Sequence, residues 1–175
     1  MEELILTRPT LALEQAAADY RQEHLAAGET VLHGSALMDA LPYGQWVQRT
    51  LENAHPDTAH GDWVPADTFF VIRKRDGRMV GMVDIRRTLG TPFLAELGGH
   101  IGYGVRPSER RKGYAAATLG LALEHARGLG LSRVMLSCYA DNEGSRRTIL
   151  HWGGKKERER VYTDGKTVEI YWIQL

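Results

Sequence analysis

The chain has 175 residues, 43% of them hydrophobic, and 22 basic residues balance 22 acidic ones for a formal net charge of +0. This length and composition suit one globular domain over residues 1–175, and the neutral balance gives no general attraction to nucleic acid or to an anionic membrane. Cys138 is the only cysteine, so an intrachain disulfide and a cysteine-based zinc site are excluded. Because no signal segment or apolar stretch of about 18 residues occurs, we expect a cytoplasmic protein that does not enter the membrane.

The first half of the chain predicts helices followed by a β-rich segment. Pro42 interrupts the second helical stretch, which favours a kink or two short helices equally. Asp76-Gly77 is the strongest turn signal in the sequence and predicts a hairpin. We expect a strand at 4–6, helices at 10–27 and 36–53, a loop at 55–67, hairpin strands at 68–73 and 79–85, a connection at 86–96 and a strand at 100–105.

The second half alternates more clearly between strands and helices. An apolar helix face predicts a helix at 114–127, and the strand that follows it is expected to join the strand at 100–105 through a βαβ crossover. Asp164-Gly165 predicts a second hairpin. The expected elements are a strand at 133–139, a helix from Asp141-Asn142 to Gly153-Gly154, and strands at 155–162 and 167–173. Together these elements predict an α/β fold.

A basic, glycine-containing loop joins the strand at 100–105 to the helix that begins at Tyr114. N–H groups in such a loop and in the first helical turn lack intrahelical partners, so they can donate to a pyrophosphate at the positive end of the helix dipole. Gly113 permits close backbone approach, and Ala115 keeps the first turn uncrowded. A solvated basic turn at the start of a surface helix explains the composition equally well. Nearby positive charge comes from Arg106, Arg110, Arg111 and Lys112.

The segment Arg110-Arg111-Lys112-Gly113-Tyr114-Ala115 is similar to the pyrophosphate signature of the GNAT superfamily of N-acetyltransferases, Gln/Arg-x-x-Gly-x-Gly/Ala. Ile101-Gly102-Tyr103-Gly104-Val105 resembles the central strand of that family, which parts from its neighbour. Asp141-Asn142-Glu143-Gly144-Ser145 resembles the Asn-x-x-Ser/Ala start of the helix that lines the thiol end of the coenzyme, and Gly153-Gly154 stands where a Gly-Phe pair usually ends that helix. The resemblance covers nearly the whole chain and is strongest over 98–154, where the chain looks like a bacterial group of predicted acetyltransferases.

The resemblance implies a mixed, mostly antiparallel central sheet with a splayed parallel strand pair, flanked by helices. It also implies acetyl-CoA as cosubstrate and direct attack by a primary amine in a ternary complex. In this scheme Gly104 and Val105 offer backbone contacts to the pantetheine arm, and residues 110–115 hold the pyrophosphate. Asn142 contacts the pantetheine end and Ser145 lies near the sulfur, although an Asn at this place is also an ordinary helix N-cap.

The residue that protonates the departing thiolate is not evident from the sequence. Many family members place a tyrosine four residues after the Ser145 position, and this chain has Ile149 there. Ser145 is the first candidate for a proton relay, although a serine at a helix start is more often structural. Tyr139 is a second candidate.

The general base is equally open. The candidates nearest the expected splayed strand are His100, Glu96 and Asp84. His100 ranks first because its unperturbed pKa is the most suitable, but packing explains a lone histidine at a strand start just as well. Catalytic candidates are therefore His100, Ser145 and Glu96.

The acceptor is expected to bind between the first two helices and the connection at 86–96. A small amine, an aminoglycoside, an amino acid and a protein N-terminus all remain open, and a homodimer is possible by family analogy. A catalytically silent CoA-binding module is the alternative function, and an RNA-binding patch is disfavoured by the neutral charge. The histidines lack the spacing of a metal site, so no metal is expected. Acceptor candidates are His33, Tyr43, Trp46, Asp84 and Glu96, and the histidines weighed as metal ligands are His55, His60 and His100.

Overall fold

The computed structural model describes residues 3–59, 61 and 63–175 of the chain, so His60 lies outside the described residues. Strands and helices follow one another along the chain in the order that the sequence predicts, with two β-hairpins among them. Short 3₁₀ turns occur at 11–13, 38–40 and 107–109, and a π-helical turn spans Leu94–Gly98. The main elements are β1 (Leu4–Thr7), α1 (Glu14–Ala26), α2 (Tyr43–Asn53), β2 (Ala66–Arg73), β3 (Arg78–Arg86), β4 (Ile101–Val105), α3 (Tyr114–Gly128), β5 (Arg133–Tyr139), α4 (Glu143–His151), β6 (Lys155–Val161) and β7 (Thr167–Gln174).

The first sheet has the strand order β1-β2-β3-β4, and every neighbouring pair is antiparallel. The hairpin predicted at Asp76-Gly77 joins β2 to β3, and Gly77 adopts φ +68° there. All eight residues of β2 are buried, since helices cover this sheet on both faces. The strand begins two residues before the predicted start, at Ala66, because backbone pairing with Arg86 extends the ladder.

The second sheet has the order β5-β7-β6 and is also antiparallel. The predicted Asp164-Gly165 turn joins β6 to β7, with Gly165 at φ +80°. β6 lies at the edge and carries the charged run Lys-Lys-Glu-Arg-Glu-Arg, a composition that discourages pairing with another chain. Antiparallel sheets flanked by helices make this a mixed α/β fold of the expected class.

Two segments differ in detail from the predicted elements. The predicted helix at 36–53 divides into a 3₁₀ turn at Met38–Ala40 and helix α2, which starts at Tyr43. Pro42 is the N-cap of α2, a place where its missing N–H costs nothing. The predicted connection at 86–96 contains part of the π-helical turn Leu94–Gly98, which packs beside β5.

Helices α3 and α4 pack over one core, which lies against β3, β4 and β5, whereas α1 and α2 pack on the other face of the first sheet. Helix α3 connects β4 to β5, as the crossover prediction requires. The two strands belong to different sheets, however, and no strand ladder joins them within the described residues. The parallel direction of this pair stays a prediction.

Candidate coenzyme and acyl-transfer site

β4 and β5 touch at one end only, around His100 and Met135. The His100 N–H donates to Met135 O at 2.8 Å, and the Met135 N–H donates to His100 Nδ1 at 2.9 Å. Gly99 makes this crossing possible, because a Cβ on it would lie 2.5 Å from Met135 O. Beyond this junction, no strand hydrogen bond between β4 and β5 is found in the part of the chain that the structure describes.

The backbone of β4 therefore has no strand partner on the side away from β3, where Val105 O instead accepts from Arg110 Nε at 3.1 Å. Arg86 N–H donates to His100 O at 2.7 Å and Arg106 N–H donates to Val80 O at 2.8 Å, so the even-numbered residues of the strand pair with β3. By the alternation of an antiparallel ladder, the peptide groups of Ile101, Tyr103 and Val105 face the gap toward β5. An extended acyl carrier can pair with such an edge as a strand does.

Gly104 has a different place from the one expected of a coenzyme ligand. Its backbone belongs to the set that pairs with β3, in register with Met82. A Cβ on Gly104 would lie 2.9 Å from His33 O and 3.1 Å from Tyr20 Oη. The glycine therefore allows the segment before α2 to lie directly on the strand, and Val105 remains the better-placed backbone contact.

The loop before α3 keeps its N–H groups available. Gly113 is the N-cap of α3 with φ +83° and provides no side-chain cap, and Ala117 N–H donates to Gly113 O at 3.1 Å. The N–H groups of residues 111–113, 115 and 116 have no acceptor among the described residues. A cluster of amides at a helix start is a ready anion site.

The side chains of the loop serve partly to hold the loop itself. Arg110 makes two hydrogen bonds to the Glu29 carboxylate, at 2.6 and 2.7 Å, and donates to Val105 O. Lys112 pairs with buried Glu109 at 2.9 Å. Arg111 is exposed with φ +64°, and its guanidinium contacts no charged partner within the described ranges. Of the three basic residues, Arg111 alone has a charge that is not already engaged.

The start of α4 brings two hydroxyl groups together. Asn142 is the N-cap, and its Oδ1 accepts the Ser145 N–H at 3.0 Å. Ser145 Oγ lies 3.1 Å from the hydroxyl of Tyr103 on β4. Ile149 is fully buried in the core and has no titratable group. The contact between Tyr103 and Ser145 therefore joins β4 to α4 beside the gap.

Tyr139, the second candidate for the acid, points elsewhere. Its hydroxyl donates to the Asp164 carboxylate at 2.9 Å, in the exposed turn between β6 and β7. Its ring makes an edge contact with Tyr162, with 6.5 Å between centroids. These contacts place the Tyr139 hydroxyl away from Ser145.

The contacts of His100 favour a structural role over that of a base. The side chain is 6% exposed, and its Nδ1 already accepts the Met135 N–H. Burial, reinforced by Arg86 and Arg133, lowers the pKa of His100 to about 4. The imidazole is thus neutral near pH 7, but the nitrogen that could accept a proton is occupied.

The two carboxylates considered as bases are also engaged. Glu96 is exposed and pairs with Arg160 at 2.8 Å, and this hydrogen bond lowers the pKa of Glu96. Asp84 is buried, accepts the Thr68 hydroxyl at 2.8 Å and pairs with Arg86 at 3.0 Å. Neither carboxylate is free to receive a proton from an incoming amine without losing an ion pair.

The residues expected to form the acceptor site are dispersed. Trp46 is fully buried and donates from Nε1 to Ser35 O at 3.0 Å, and the Tyr43 hydroxyl donates to Thr10 O at 2.8 Å. His33 lies against β4, where its carbonyl faces Gly104, and Asp84 pairs with Gly102 of β4 from the neighbouring strand. The surface of His33 is exposed, and desolvation by the surrounding chain still lowers the pKa of its imidazole.

Sequence reasoning missed two residues near the gap. The Tyr103 hydroxyl meets Ser145, and Arg86 donates to the carbonyls of Gly98 and Gly99 at 3.1 and 3.2 Å. The alternation of β4 did place Tyr103 on one face with Ile101. No signal in the sequence linked that face to a residue 42 positions away.

The described residues contain no group of three or more His, Cys, Asp or Glu side chains that could hold a metal ion. Among them there is also no helix with the length and apolar character needed to cross a membrane. Burial raises the pKa of the Cys138 thiol to about 11, so it is protonated at neutral pH.

Comparison with known proteins identifies the fold and the family. A model described as Acetyltransferase (GNAT) family matches residues 35–153, and no curated relative matches significantly. A ribosomal-protein-S5-alanine acetyltransferase from Vibrio fischeri has 18% identity and a TM-score of 0.74, with 99% of this chain and 94% of that chain covered. The microcin C7 self immunity acetyltransferase MccE, in complex with acetyl-CoA and AMP, has 16% identity and a TM-score of 0.71, with 100% and 94% covered. A ribosomal L7/L12 alpha-N-protein acetyltransferase in complex with coenzyme A has 16% identity and a TM-score of 0.68, with 98% and 94% covered. At these identities the likeness to solved structures concerns the fold.

Proposed function

Because this chain belongs to the GNAT acetyltransferase family, we propose that it moves an acetyl group from acetyl-CoA to a primary amine by direct attack in a ternary complex. The observation that supports this most strongly is the free set of N–H groups at the start of α3, next to the unpaired edge of β4. The first feature suits a pyrophosphate and the second suits an extended pantetheine arm. We also propose that residues 1–175 form one domain and that the protein is cytoplasmic.

The residues present fit acetyl-CoA, which is the acyl donor of this family. The amides of Arg111, Lys112, Gly113 and Ala115 are proposed to bind the diphosphate, with the Arg111 guanidinium adding charge. Val105 is proposed to pair with the pantetheine amides through its backbone. Since Arg110 and Lys112 are held by Glu29 and Glu109, their side chains are proposed to shape the loop. Asn142 and Ser145 then flank the thiol end.

The chemistry is proposed to depend mainly on position. The N–H of Tyr103 faces the gap between the strands and can donate to the thioester oxygen, where negative charge develops during attack. Holding an amine and a thioester together supplies a large part of the rate, so a modest base suffices. We assign removal of the amine proton to solvent water, because His100 and Glu96 are both engaged in contacts of their own.

The class of amine acceptor can be identified with a panel of amines chosen from what the structural neighbours are described as acetylating. Two of these are described as acetylating ribosomal proteins, one at an alanine and one at an α-amino group, and we propose a peptide N-terminus as the first acceptor to test. The panel contains short peptides beginning with Ser and Ala, free amino acids and an aminoglycoside. Release of CoA thiol and the mass of the product measure transfer. Acetylation of at least one amine is the expected result.

The alternative function is a silent CoA-binding module, which Ile149 in place of the usual acid favours. Calorimetric titration with acetyl-CoA and CoA, combined with the amine panel, distinguishes an active enzyme, a silent CoA-binding module and a protein that does not bind CoA. Binding without transfer to any amine in the panel supports the silent module. Absence of binding to either compound contradicts both.

A further inference from the structure

Tyr103 lies at the centre of the gap, yet the sequence comparison with the family assigns it no role. It is the middle residue of β4, and its ring packs against the core that α3 and α4 cover. Its hydroxyl reaches the first turn of α4 and lies 3.1 Å from Ser145 Oγ. The hydroxyl pair therefore lies at the same helix start that is proposed to flank the thiol of the coenzyme.

The other protic groups around Ser145 are poorly suited to donate a proton. The Thr148 hydroxyl donates to Gly144 O at 2.9 Å, inside the helix. The Cys138 thiol is buried, and the Tyr139 hydroxyl is held by Asp164. Ile149, where a tyrosine is usual, carries no exchangeable proton. Among the described residues that contact this helix start, Tyr103 remains as the one phenol that reaches Ser145.

We propose that Tyr103 is the proton donor to the departing CoA sulfur, with Ser145 positioning its hydroxyl, an inference that rests on the proposed acetyl transfer. The amine nitrogen forms a bond to the carbonyl carbon, and the C–S bond breaks with its electron pair going to sulfur. The phenol proton moves to that sulfur and gives the CoA thiol. The proton released by the amine to water returns to the phenolate, so the net transfer is one proton from nitrogen to sulfur.

The surroundings of Tyr103 agree with this role. Burial raises the pKa of its hydroxyl, so the phenol stays protonated across the neutral range. A hydroxyl that donates to a thiolate stabilises the charged form and lowers the pKa of the bound thiol. Loss of one such hydrogen bond to the thiolate is therefore expected to raise the thiol pKa by about one unit.

The first test measures the bound CoA thiol and needs no acceptor. The pH dependence of alkylation of bound CoA by iodoacetamide, followed by mass spectrometry, gives the pKa of the thiol in the complex. Tyr103→Phe is expected to raise that pKa by about one unit, and Ser145→Ala by about the same or less. Tyr139→Phe is the matched control, because it removes a tyrosine hydroxyl from the neighbouring strand, and it should leave the thiol pKa unchanged. An unchanged pKa in Tyr103→Phe, with CoA still bound, overturns the inference.

The second test follows turnover with any amine of the panel, or acetyl-CoA hydrolysis where no amine reacts. Tyr103→Phe is expected to lower kcat about 100-fold while KM for acetyl-CoA changes less than about twofold, as for loss of a general acid. Difluorotyrosine placed at position 103 alone makes the phenol more acidic and should move the alkaline limb of the pH–rate profile to lower pH. A purely structural role predicts no movement of that limb.

The outcomes separate this inference from the proposed function. A wild-type protein that binds no CoA contradicts the function itself. A wild-type protein that binds CoA and turns over, with Tyr103→Phe equally active, contradicts only the role of Tyr103. If Tyr103→Phe does not fold, Ser145→Ala and the difluorotyrosine protein provide the same readouts, since both keep the buried hydroxyl of residue 103.

Discussion

Helices α3 and α4 both begin beside the same gap, but their N-termini are capped in different ways. At α3, Gly113 provides no side-chain cap and leaves a row of N–H groups open. At α4, Asn142 caps the helix and takes the Ser145 N–H at 3.0 Å. Every helix start is electropositive, so charge alone does not distinguish them. What distinguishes them is whether a side chain of the protein satisfies the amides, and at α3 the amides stay available to the diphosphate that we propose there.

The largest expected effect comes from blocking the uncapped N-terminus of α3. Gly113→Glu places a carboxylate where the diphosphate is proposed to bind and strains a residue with φ +83°. Acetyl-CoA affinity should fall by about 100-fold or more, since hydrogen bonds to charged groups each contribute about 1.5 to 3 kcal/mol. Isothermal titration calorimetry measures the loss.

Gly130 offers a closely matched control for that variant. It lies just beyond the other end of α3, has the same φ of +83°, and no atom lies within 4 Å of a Cβ on it. Gly130→Glu therefore imposes the same backbone strain, about 1–2 kcal/mol, far from the proposed site. Equal loss of CoA affinity in both variants would mean that strain, and not the anion site, explains the result.

The next effect concerns the junction from which the gap opens. His100→Ala removes the acceptor of the Met135 N–H and should lower the free energy of unfolding by about 2 kcal/mol. His100→Asn retains an acceptor at a comparable position and should recover most of that stability. Urea unfolding measures both. If His100 is structural, His100→Asn also keeps acetyl-transfer activity, whereas a catalytic base would lose it.

The same residue gives the protein a pH dependence of stability. The pKa of His100 is lowered to about 4 in the folded state from 6.5, so the unfolded chain binds more protons between these values. The stabilisation is complete above pH 6.5 and is lost as the pH falls toward 4. In His100→Asn, unfolding free energies at pH 7 and pH 4.5 should differ less than in the wild type. An identical difference in the two proteins would refute the assignment.

The two helix starts also show which features the sequence could predict. The strand, the glycine loop and the start of α3 are contiguous, so local rules placed the loop correctly between β4 and α3, and the coenzyme site there stays a prediction. The family signature predicts Arg110 at the pyrophosphate, and nothing in the sequence reveals its ion pair with Glu29, 81 residues away. Tyr103 was missed for the same reason, since its partner Ser145 is brought to it by the packing of α4. Contacts between distant segments depend on how the helices settle on the sheets, and one sequence does not specify that geometry.

A smaller effect is expected from removing the side-chain cap at the N-terminus of α4. Asn142→Ala removes the cap and should cost about 1 kcal/mol of stability, while Asn142→Ser retains a capping oxygen and should stay within a few tenths of a kcal/mol of the wild type. If Asn142 also contacts pantetheine, both variants lower CoA affinity a few-fold despite their different stabilities. Thermal unfolding and calorimetry, measured together, separate the two roles. If CoA affinity falls only in the variant that loses stability, Asn142 acts as a helix cap and does not contact the coenzyme.

The smallest expected effect distinguishes two neighbouring arginines in the loop before α3. The hydrogen bonds from Arg110 hold the pKa of Glu29 at about 2, so Arg110 is already committed, whereas the Arg111 side chain is exposed. Arg111→Gln should weaken CoA binding about three- to fivefold and reduce its salt dependence, because an exposed charge contributes at most about 1 kcal/mol. Arg110→Gln should change CoA affinity less than twofold and instead loosen the contact with Glu29. Titrations at two salt concentrations measure both effects. The reverse order would show that Arg110 leaves Glu29 when the diphosphate binds, and the acidic residue would then act as a competitor that the coenzyme displaces.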